Sequence, residues 1–131
     1  MKYLADTNIF LAVALDEPEK PWLVKITHGA SLVAPSVLPY EVGNALSALV
    51  KRGRLHPDQV VAVWDVIREI PVELVEVDIR MALELAVRFD IYAYDAYFIQ
   101  CALQLRCPLL TLDQGMRQVA KQLNVSLLEQ L

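Results

Sequence analysis

The sequence predicts an α/β domain whose central sheet is mostly parallel and has four to five strands. Short apolar runs of β type alternate with segments of helical periodicity from end to end, which is typical of parallel strands connected by helices. The chain has 131 residues, so it fits one domain, 1–131, with a core of its own. With 56% hydrophobic and 21% charged residues, the composition is that of a folded protein rather than a disordered one.

The element boundaries are placed where the periodicity changes and where proline, glycine or a capping residue interrupts it. Ser36 is a candidate N-cap for a helix whose apolar face includes Val42 and Leu46, and Gly53 ends that helix. Asp78 caps a later helix, and Gly115 precedes the last one. In chain order we predict a strand at 2–6, helices at 8–15 and 22–28, a strand at 31–34, helices after Ser36 and over 60–67, a strand at 72–77, helices at 78–88 and 96–105, a strand at 109–112, a helix ending near 123 and a closing strand at 125–128.

The sequence lacks the residues that several classes of function require. The four glycines form neither the G-x-G-x-x-G fingerprint of dinucleotide-binding proteins nor a P-loop. His28 and His56 both stand at helix ends, where surface positions are expected rather than a catalytic triad. Cys101 and Cys107 are six residues apart, about 9 Å along one helix, which is too far for a disulfide. We therefore expect reduced thiols and a cytoplasmic protein. The apolar run at 9–15 is too short to cross a membrane, which takes roughly 20 residues.

Four acidic residues occur where an apolar strand ends or a helix begins. Asp6 and Asp113 follow predicted strands, Glu41 lies in the first turns of a predicted helix, and Asp95 opens another. In open α/β sheets, ligands bind at the carboxyl ends of the strands, so these side chains are expected to meet there. Each acid alone could be a simple helix cap or turn residue, but four such placements together favour one site.

A cluster of four carboxylates would repel itself strongly unless a cation bound within it. Oxygen-only ligands favour Mg²⁺ or Mn²⁺ over zinc. Such an ion can activate water for attack on phosphorus and stabilise the charge that develops on the scissile phosphate, so phosphodiester hydrolysis is the reaction that this pattern favours.

The overall charge is compatible with a polyanionic substrate. The formal charge is −4, from 12 basic and 16 acidic residues, but the acids outside a metal-filled cluster would balance the basic residues. The one dense basic cluster runs from Lys51 to Arg54. It is either a solvated cluster at a helix end, where the helix dipole favours positive charge, or a contact for nucleic acid.

The motifs around the four acids resemble those of the PIN-domain nucleases and, within them, the VapC-type toxins of toxin–antitoxin pairs. The resemblance covers the whole chain, and its specificity comes from the order and spacing of the motifs together. The matching segments are Asp6-Thr7-Asn8, the run from Pro39 through Glu41 to Leu46, Tyr94-Asp95-Ala96-Tyr97-Phe98, and the run from Pro108 to Asp113.

The resemblance implies a three-layer α/β/α fold and a ribonuclease that uses Mg²⁺ or Mn²⁺. It implies Asp6 and Asp95 as direct ligands, with Glu41 and Asp113 completing the site or acting through water. Asn8 and Thr111 would orient the carboxylates by hydrogen bonds. Asn8 is equally well explained as an ordinary residue at a helix start, and Thr111 as an ordinary threonine in a strand.

The resemblance also implies protein partners, namely a small cognate antitoxin and a second copy of the chain. Val61 and Val66 fall outside the inward stripe of the helix over 60–67 and should be exposed. The helices around 46–50 and 60–67 are therefore expected to form either the antitoxin groove or a homodimer face.

Two other functions compete with the RNA-cleaving one. A phosphohydrolase of the HAD type would use Asp6 as a nucleophile, but its D-x-D-x-[TV] motif is not matched by Asn8 and Phe10. A non-catalytic PIN-like module would bind RNA or protein without cutting.

Overall fold

A parallel sheet of four strands forms the centre of the molecule. The computed structural model describes residues 1–129. The strands in these residues are β1 (Lys2–Ala5), β2 (Ser31–Pro35), β3 (Glu73–Val75) and β4 (Leu109–Leu110), in the spatial order β3-β2-β1-β4. Each neighbouring pair is parallel. All four carboxyl ends therefore lie along the same edge of the sheet.

Helices cover both faces of the sheet and complete the predicted three-layer α/β/α fold. On one face α6 packs against β1, β2 and α5, and on the other α1, α3 and α4 pack against one another. A short 3₁₀ turn at Pro57–Gln59 leads into α4. The helices are α1 (Thr7–Ala14), α2 (Lys20–Thr27), α3 (Leu38–Lys51), α4 (Val60–Arg68), α5 (Ile79–Phe89), α6 (Ala93–Leu105) and α7 (Gln114–Gln122).

The predicted closing strand at 125–128 is wrong. In its place a single parallel bridge joins Leu109 to Leu127. Asn124 has a φ of 59°, which turns the chain sharply after α7, and β4 offers only two residues for pairing. The sheet thus has the lower of the two predicted strand numbers.

Three helix starts differ from the prediction. Ser36 does not cap α3, whose N-cap position is Val37; its backbone N–H donates to the Val75 carbonyl at 2.9 Å and joins the end of β2 to β3. Gly115 lies inside α7 rather than before it, since Asp113 caps that helix. Asp95 lies inside the first turn of α6, which begins two residues earlier at Ala93. The predicted cap at Asp78 is confirmed by its 3.1 Å bond from the Met81 N–H.

The core lies between the sheet and both helical layers. Its largest fully buried side chains include Phe10, Phe98 and Leu46. Both cysteines are buried and free. Val61 and Val66 are exposed, as predicted, with 69% and 51% of their surface accessible. Within residues 1–129, every helix is too short or too polar to span a membrane.

Core packing can be tested with two Leu→Ala substitutions in helices. Leu46 in α3 is buried, whereas Leu105 at the end of α6 is 38% exposed. Leu46→Ala should lower the free energy of unfolding by about 3 kcal/mol, because it removes buried apolar surface and leaves a cavity. Leu105→Ala should change that free energy by less than about 1 kcal/mol. Urea unfolding of both variants measures the difference, and equal losses would contradict this placement of the core.

Candidate functional site

Asp6 lies at the carboxyl edge of the sheet, directly after β1. The register pairs Leu4 with Leu109 and Ala5 with Leu110, so the next residues, Asp6 and Thr111, lie side by side. The Asp6 N–H continues the pairing by donating to the Leu110 carbonyl at 3.0 Å. Asp6 as a whole is only 5% exposed. A carboxylate is thus buried at the junction of the two strands.

Protein donors hold both oxygens of the Asp6 carboxylate. The Thr7 N–H donates to Oδ1 at 2.7 Å, and the Thr111 hydroxyl donates to Oδ2 at 2.9 Å. The Thr111 oxygen in turn accepts from the Asp113 N–H at 3.1 Å. These bonds fix the plane of the carboxylate and connect it to the start of α7.

Glu41 reaches the same place from the neighbouring strand. It lies in the first turn of α3, which follows β2, and it is half-buried. Its Oε2 accepts a hydrogen bond of 2.8 Å from the Thr7 hydroxyl. Thr7 therefore connects Glu41 to Asp6.

Asp95 and Asp113 approach the edge from the helices on either side of β4. Asp95 lies in the first turn of α6, which leads into β4, and its charge raises the pKa of both Asp6 and Glu41, so it lies near them. Asp113 is the N-cap of α7, and its Oδ1 accepts from the Met116 N–H at 2.8 Å. The four predicted acids thus come from four helix starts along the carboxyl edge.

Helix capping accounts for only part of this arrangement. Asp6 and Asp113 accept bonds from helical N–H groups and serve as caps. Glu41 and Asp95 do not, because α3 and α6 have Val37 and Tyr92 at their N-cap positions. The positive ends of the helix dipoles favour carboxylates here, but two of the four acids have no capping role that would explain them.

Burial and mutual repulsion raise the pKa values of three of the acids. Desolvation is the main reason that the pKa of Asp6 rises from 3.8 to about 7; the hydrogen bonds from Thr111 and Thr7 lower it, and the charges of Glu41 and Asp95 raise it further. Burial also raises the pKa of Glu41, with a further contribution from the charge of Asp95. Burial and then the charge of Asp113 raise the pKa of Asp95. The charges of Glu41, Asp95 and Asp113 therefore each raise the pKa of at least one neighbouring acid.

The surroundings of these acids fit a hard cation by their chemistry. None of the ion pairs among residues 1–129 includes any of the four carboxylates. Arg117, close by in sequence to Asp113, donates to the Thr111 carbonyl and pairs with Glu129 at 2.8 Å instead. The donor set is all oxygen and lacks a neutralising partner, which suits Mg²⁺ or Mn²⁺.

The four carboxylates interact electrostatically, but their side chains do not converge on one point where an ion could bind. In the part of the chain that the structure describes, no three Asp, Glu, His or Cys side chains converge closely enough to hold an ion. The half-exposed Glu41 and Asp95 and the exposed Asp113 have room to rotate. Binding of an ion would thus require these side chains to close on Asp6, which is fixed.

The two predicted orienting residues have different contacts. Thr111 donates directly to Asp6, as described above. Asn8 accepts from the Leu112 N–H at 3.3 Å and joins α1 to the loop after β4. No hydrogen bond from Asn8 to a carboxylate occurs among the described residues.

Sequence reasoning missed Thr7, which contacts both Asp6 and Glu41. The signal was present, since Thr7 is a hydroxyl residue that directly follows a predicted ligand. A threonine at a helix start is so common, however, that its position alone does not identify a partner 34 residues away.

Comparison with known proteins supports the fold that the motifs implied. The family model of the PIN domain matches residues 3–122. No curated protein matches the chain significantly.

Three solved structures similar to this chain come from different organisms. PAE2754 from Pyrobaculum aerophilum is 24% identical over 91% of this chain and 87% of that one, with a TM-score of 0.67. VapBC2 from Rickettsia felis, bound to a DNA fragment from their promoter, is 16% identical over 98% of both chains, with a TM-score of 0.68. FitAcB from Neisseria gonorrhoeae is 18% identical over 97% of this chain and 96% of that one, with a TM-score of 0.55. At these identities the similarity establishes the shared fold.

The raised pKa of Asp6 predicts a loss of stability with rising pH when metal is removed with EDTA. The folded state holds the Asp6 proton up to about pH 7, whereas the unfolded chain releases it near pH 4. This stabilisation is complete below about pH 4 and is lost as the pH rises through about 7, up to about 4 kcal/mol in all. Urea unfolding at pH 5 and pH 8 should show a clear loss for the wild type and a smaller loss for Asp6→Asn.

The matched control for this experiment is Asp65→Asn, which changes an exposed aspartate in α4. It should keep the pH dependence of the wild type. A wild type that is equally stable at both pH values, or more stable at pH 8, would contradict the burial of an uncompensated Asp6.

Proposed function

Because the chain belongs to the PIN-domain family, we propose that it is a metal-dependent endoribonuclease and the toxin of a toxin–antitoxin pair. PIN domains are generally nucleases. The observation that carries the proposal is the buried Asp6, held by protein donors and coupled electrostatically to further carboxylates that have no basic partner within residues 1–129. Such a group is costly for stability, and binding of a divalent cation would offset that cost.

The ion that fits this donor set is Mg²⁺ or Mn²⁺. We assign Asp6 and Asp95 as its direct ligands, with Glu41 and Asp113 as groups that complete the site or act through water. When bound, the ion would lower the pKa of water and stabilise the negative charge that develops on the scissile phosphate.

The protein groups around the ligands would keep them in place. The hydrogen bonds from Thr7 and Thr111 leave Asp6 only one orientation, so one ligand needs no reorganisation when the ion binds. Asn8 would act less directly, by holding the backbone at Leu112 close to α1. Asp113 keeps one oxygen on the Met116 N–H and has its other oxygen available for water or metal.

The substrate we propose is RNA, in line with the resemblance to VapC-type toxins. Three of the four acids are half-buried or exposed, so the edge of the sheet is accessible to a polymer. The charge of a bound ion would attract the phosphate backbone to a surface that is otherwise acidic.

Substitution of the ligands gives the direct test of this function. Asp6→Asn and Asp95→Asn should each lower RNA cleavage by about 100-fold or more, since loss of a ligand costs more than loss of an orienting group. Asp65→Asn should retain wild-type activity. Cleavage of total RNA with Mg²⁺ or Mn²⁺ measures the rates, and EDTA should stop the reaction.

The same experiment separates the competing functions. If the wild type folds and binds RNA but cuts none with either metal, it is a non-catalytic PIN-like module. A phosphorylated Asp6, or one trapped with a metal fluoride, would point to a HAD-type phosphohydrolase. Wild-type cleavage by either ligand variant would overturn the assignment of the site.

An antitoxin would bind in the apolar cleft between α3, α4 and the segment that leads into β3. This cleft has a volume of about 340 Å³, and its lining includes Leu38, Val42, Trp64 and Leu74. It opens beside the first turn of α3, which carries Glu41, so a bound segment would lie next to the acidic site. The sequence predicted a groove at the helices around 46–50 and 60–67. The cleft includes Trp64 and Ile67 of the second of these helices, but it lies toward the start of α3 rather than at 46–50. The similarity to VapBC2 and FitAcB supports such a partner.

A second copy of the chain would use a different surface. On α5, the side chains of Ile79, Leu83 and Val87 follow one another at helical spacing and are 55%, 46% and 83% exposed. Arg80, Glu84 and Arg88 border this stripe and supply both signs of charge. An apolar stripe with mixed charges at its rim suits a homodimer interface.

Two charge substitutions separate these surfaces. Leu74→Glu, at the exposed rim of the cleft, should weaken binding of the cognate antitoxin by about tenfold or more, because it places a charge in an apolar contact. It should leave the dimer intact. Val87→Glu should weaken the dimer and leave binding of the antitoxin intact. Co-purification measures partner binding, and sedimentation measures the dimer; a variant that changes both properties, or neither, would contradict the separate surfaces.

A further inference from the structure

Thr7 donates hydrogen bonds to two of the four carboxylates. Its backbone N–H bonds to Asp6 Oδ1 at 2.7 Å, and its hydroxyl bonds to Glu41 Oε2 at 2.8 Å. The residue is 4% exposed, so water does not compete freely for either donor. A hydrogen bond to an ionised acceptor is shorter and stronger than one between neutral groups.

We propose that Thr7 is a positioning residue that holds Glu41 beside Asp6 before any metal binds. This inference rests on the proposed function, because it concerns how the same site is prepared for its ion. Two carboxylates repel each other, and the Glu41 side chain is half-exposed and has three rotatable bonds. Without the Thr7 hydroxyl, Glu41 would turn toward solvent, and the ion would have to restore its position on binding.

The place of Thr7 in α1 explains why it can supply both donors. It is the first residue of the helix, so its N–H has no carbonyl partner within the helix and is free to bond to Asp6. Its hydroxyl has no preceding helical turn to bond to, which is where the hydroxyl of a threonine inside a helix usually donates. Its proton is therefore available for Glu41.

The side chain of Thr7 combines a hydroxyl donor with a branched shape. The branched side chain restricts the rotation about χ1, and burial restricts it further. Serine keeps the same donor with more freedom, whereas valine keeps the branched shape and loses the donor. These two replacements thus separate the hydrogen bond from the packing.

The test measures binding of Mn²⁺ alone, without RNA, from the electron paramagnetic resonance signal of the free ion. Thr7→Val should bind Mn²⁺ about 10-fold to 100-fold more weakly than the wild type, the range typical for loss of an orienting hydrogen bond at a metal site. Thr7→Ser should recover most of the wild-type affinity. Thr27→Val is the matched control, because its hydroxyl bonds to the Leu23 carbonyl in α2, and it should bind as the wild type does.

A double variant tests whether Thr7 acts through Glu41. In the Glu41→Ala background, Thr7→Val should weaken Mn²⁺ binding by less than about twofold further, since the side chain that the hydroxyl positions is already gone. Circular dichroism checks that each variant is folded. Thr7→Ala, which also removes the hydroxyl, replaces Thr7→Val if the buried valine prevents folding.

The outcomes distinguish this inference from the function on which it rests. A wild type that binds no Mn²⁺ would overturn both. If the wild type binds but Thr7→Val binds equally well, the positioning role is wrong and the nuclease proposal stands. A failure of Thr7→Ser to recover affinity would assign the effect to packing, and a full Thr7→Val loss in the Glu41→Ala background would show that Thr7 does not act through Glu41. Either result would overturn the inference.

Discussion

The buried carboxylate of Asp6 is the constraint on which the rest of the site depends. It lies at the junction of β1 and β4, where parallel pairing brings Thr111 alongside it and where the start of α1 supplies the Thr7 N–H. A charge in this position is unfavourable, and the rise of its pKa to about 7 expresses that cost. The hydrogen bonds keep the carboxylate in one orientation without removing the cost. The protein thus maintains a fixed, poorly compensated negative group at the edge of its sheet.

The other three acids gather around Asp6 because the topology directs four helix starts to one edge. β1, β2 and β4 end at this edge, and α1, α3 and α7, which follow these strands directly, begin there. The fourth start is that of α6, which leads into β4. The helix dipoles favour negative charge at those starts, so local electrostatics and chain connectivity act in the same direction. The hydrogen-bonded chain from Glu41 through Thr7, Asp6 and Thr111 to the Asp113 backbone makes the arrangement continuous. A bound divalent cation would offset the repulsion among these carboxylates.

The two apolar surfaces, the cleft beside α3 and the stripe on α5, lie at different positions relative to the carboxyl edge of the sheet. The cleft lined by Leu38 and Val42 shares its helical turns with Glu41, so an occupant of the cleft would lie close to the acids. The exposed stripe on α5 belongs to the opposite helical layer. This separation would let a second copy and an inhibitory partner bind to one molecule at the same time. In the proposed function, the layer of α3 and α4 would bind the antitoxin and the layer of α5 would bind the second copy.

The sequence by itself determined the fold class and most element positions, and it predicted that four acids would lie at one edge of the sheet. Alternating periodicities fix which segments are strands and helices, and acids after apolar strands are few enough to stand out. The motif order around Asp6, Glu41, Asp95 and Asp113 identified the fold family. Local pattern could not determine that residues 125–128 form one bridge rather than a strand, because pairing depends on how long the neighbouring strand stays extended. It could not show that Thr7, rather than Asn8, contacts the carboxylates, nor where the apolar cleft lies. Only the tertiary structure decided these points, because each depends on distances between residues that are far apart in the chain.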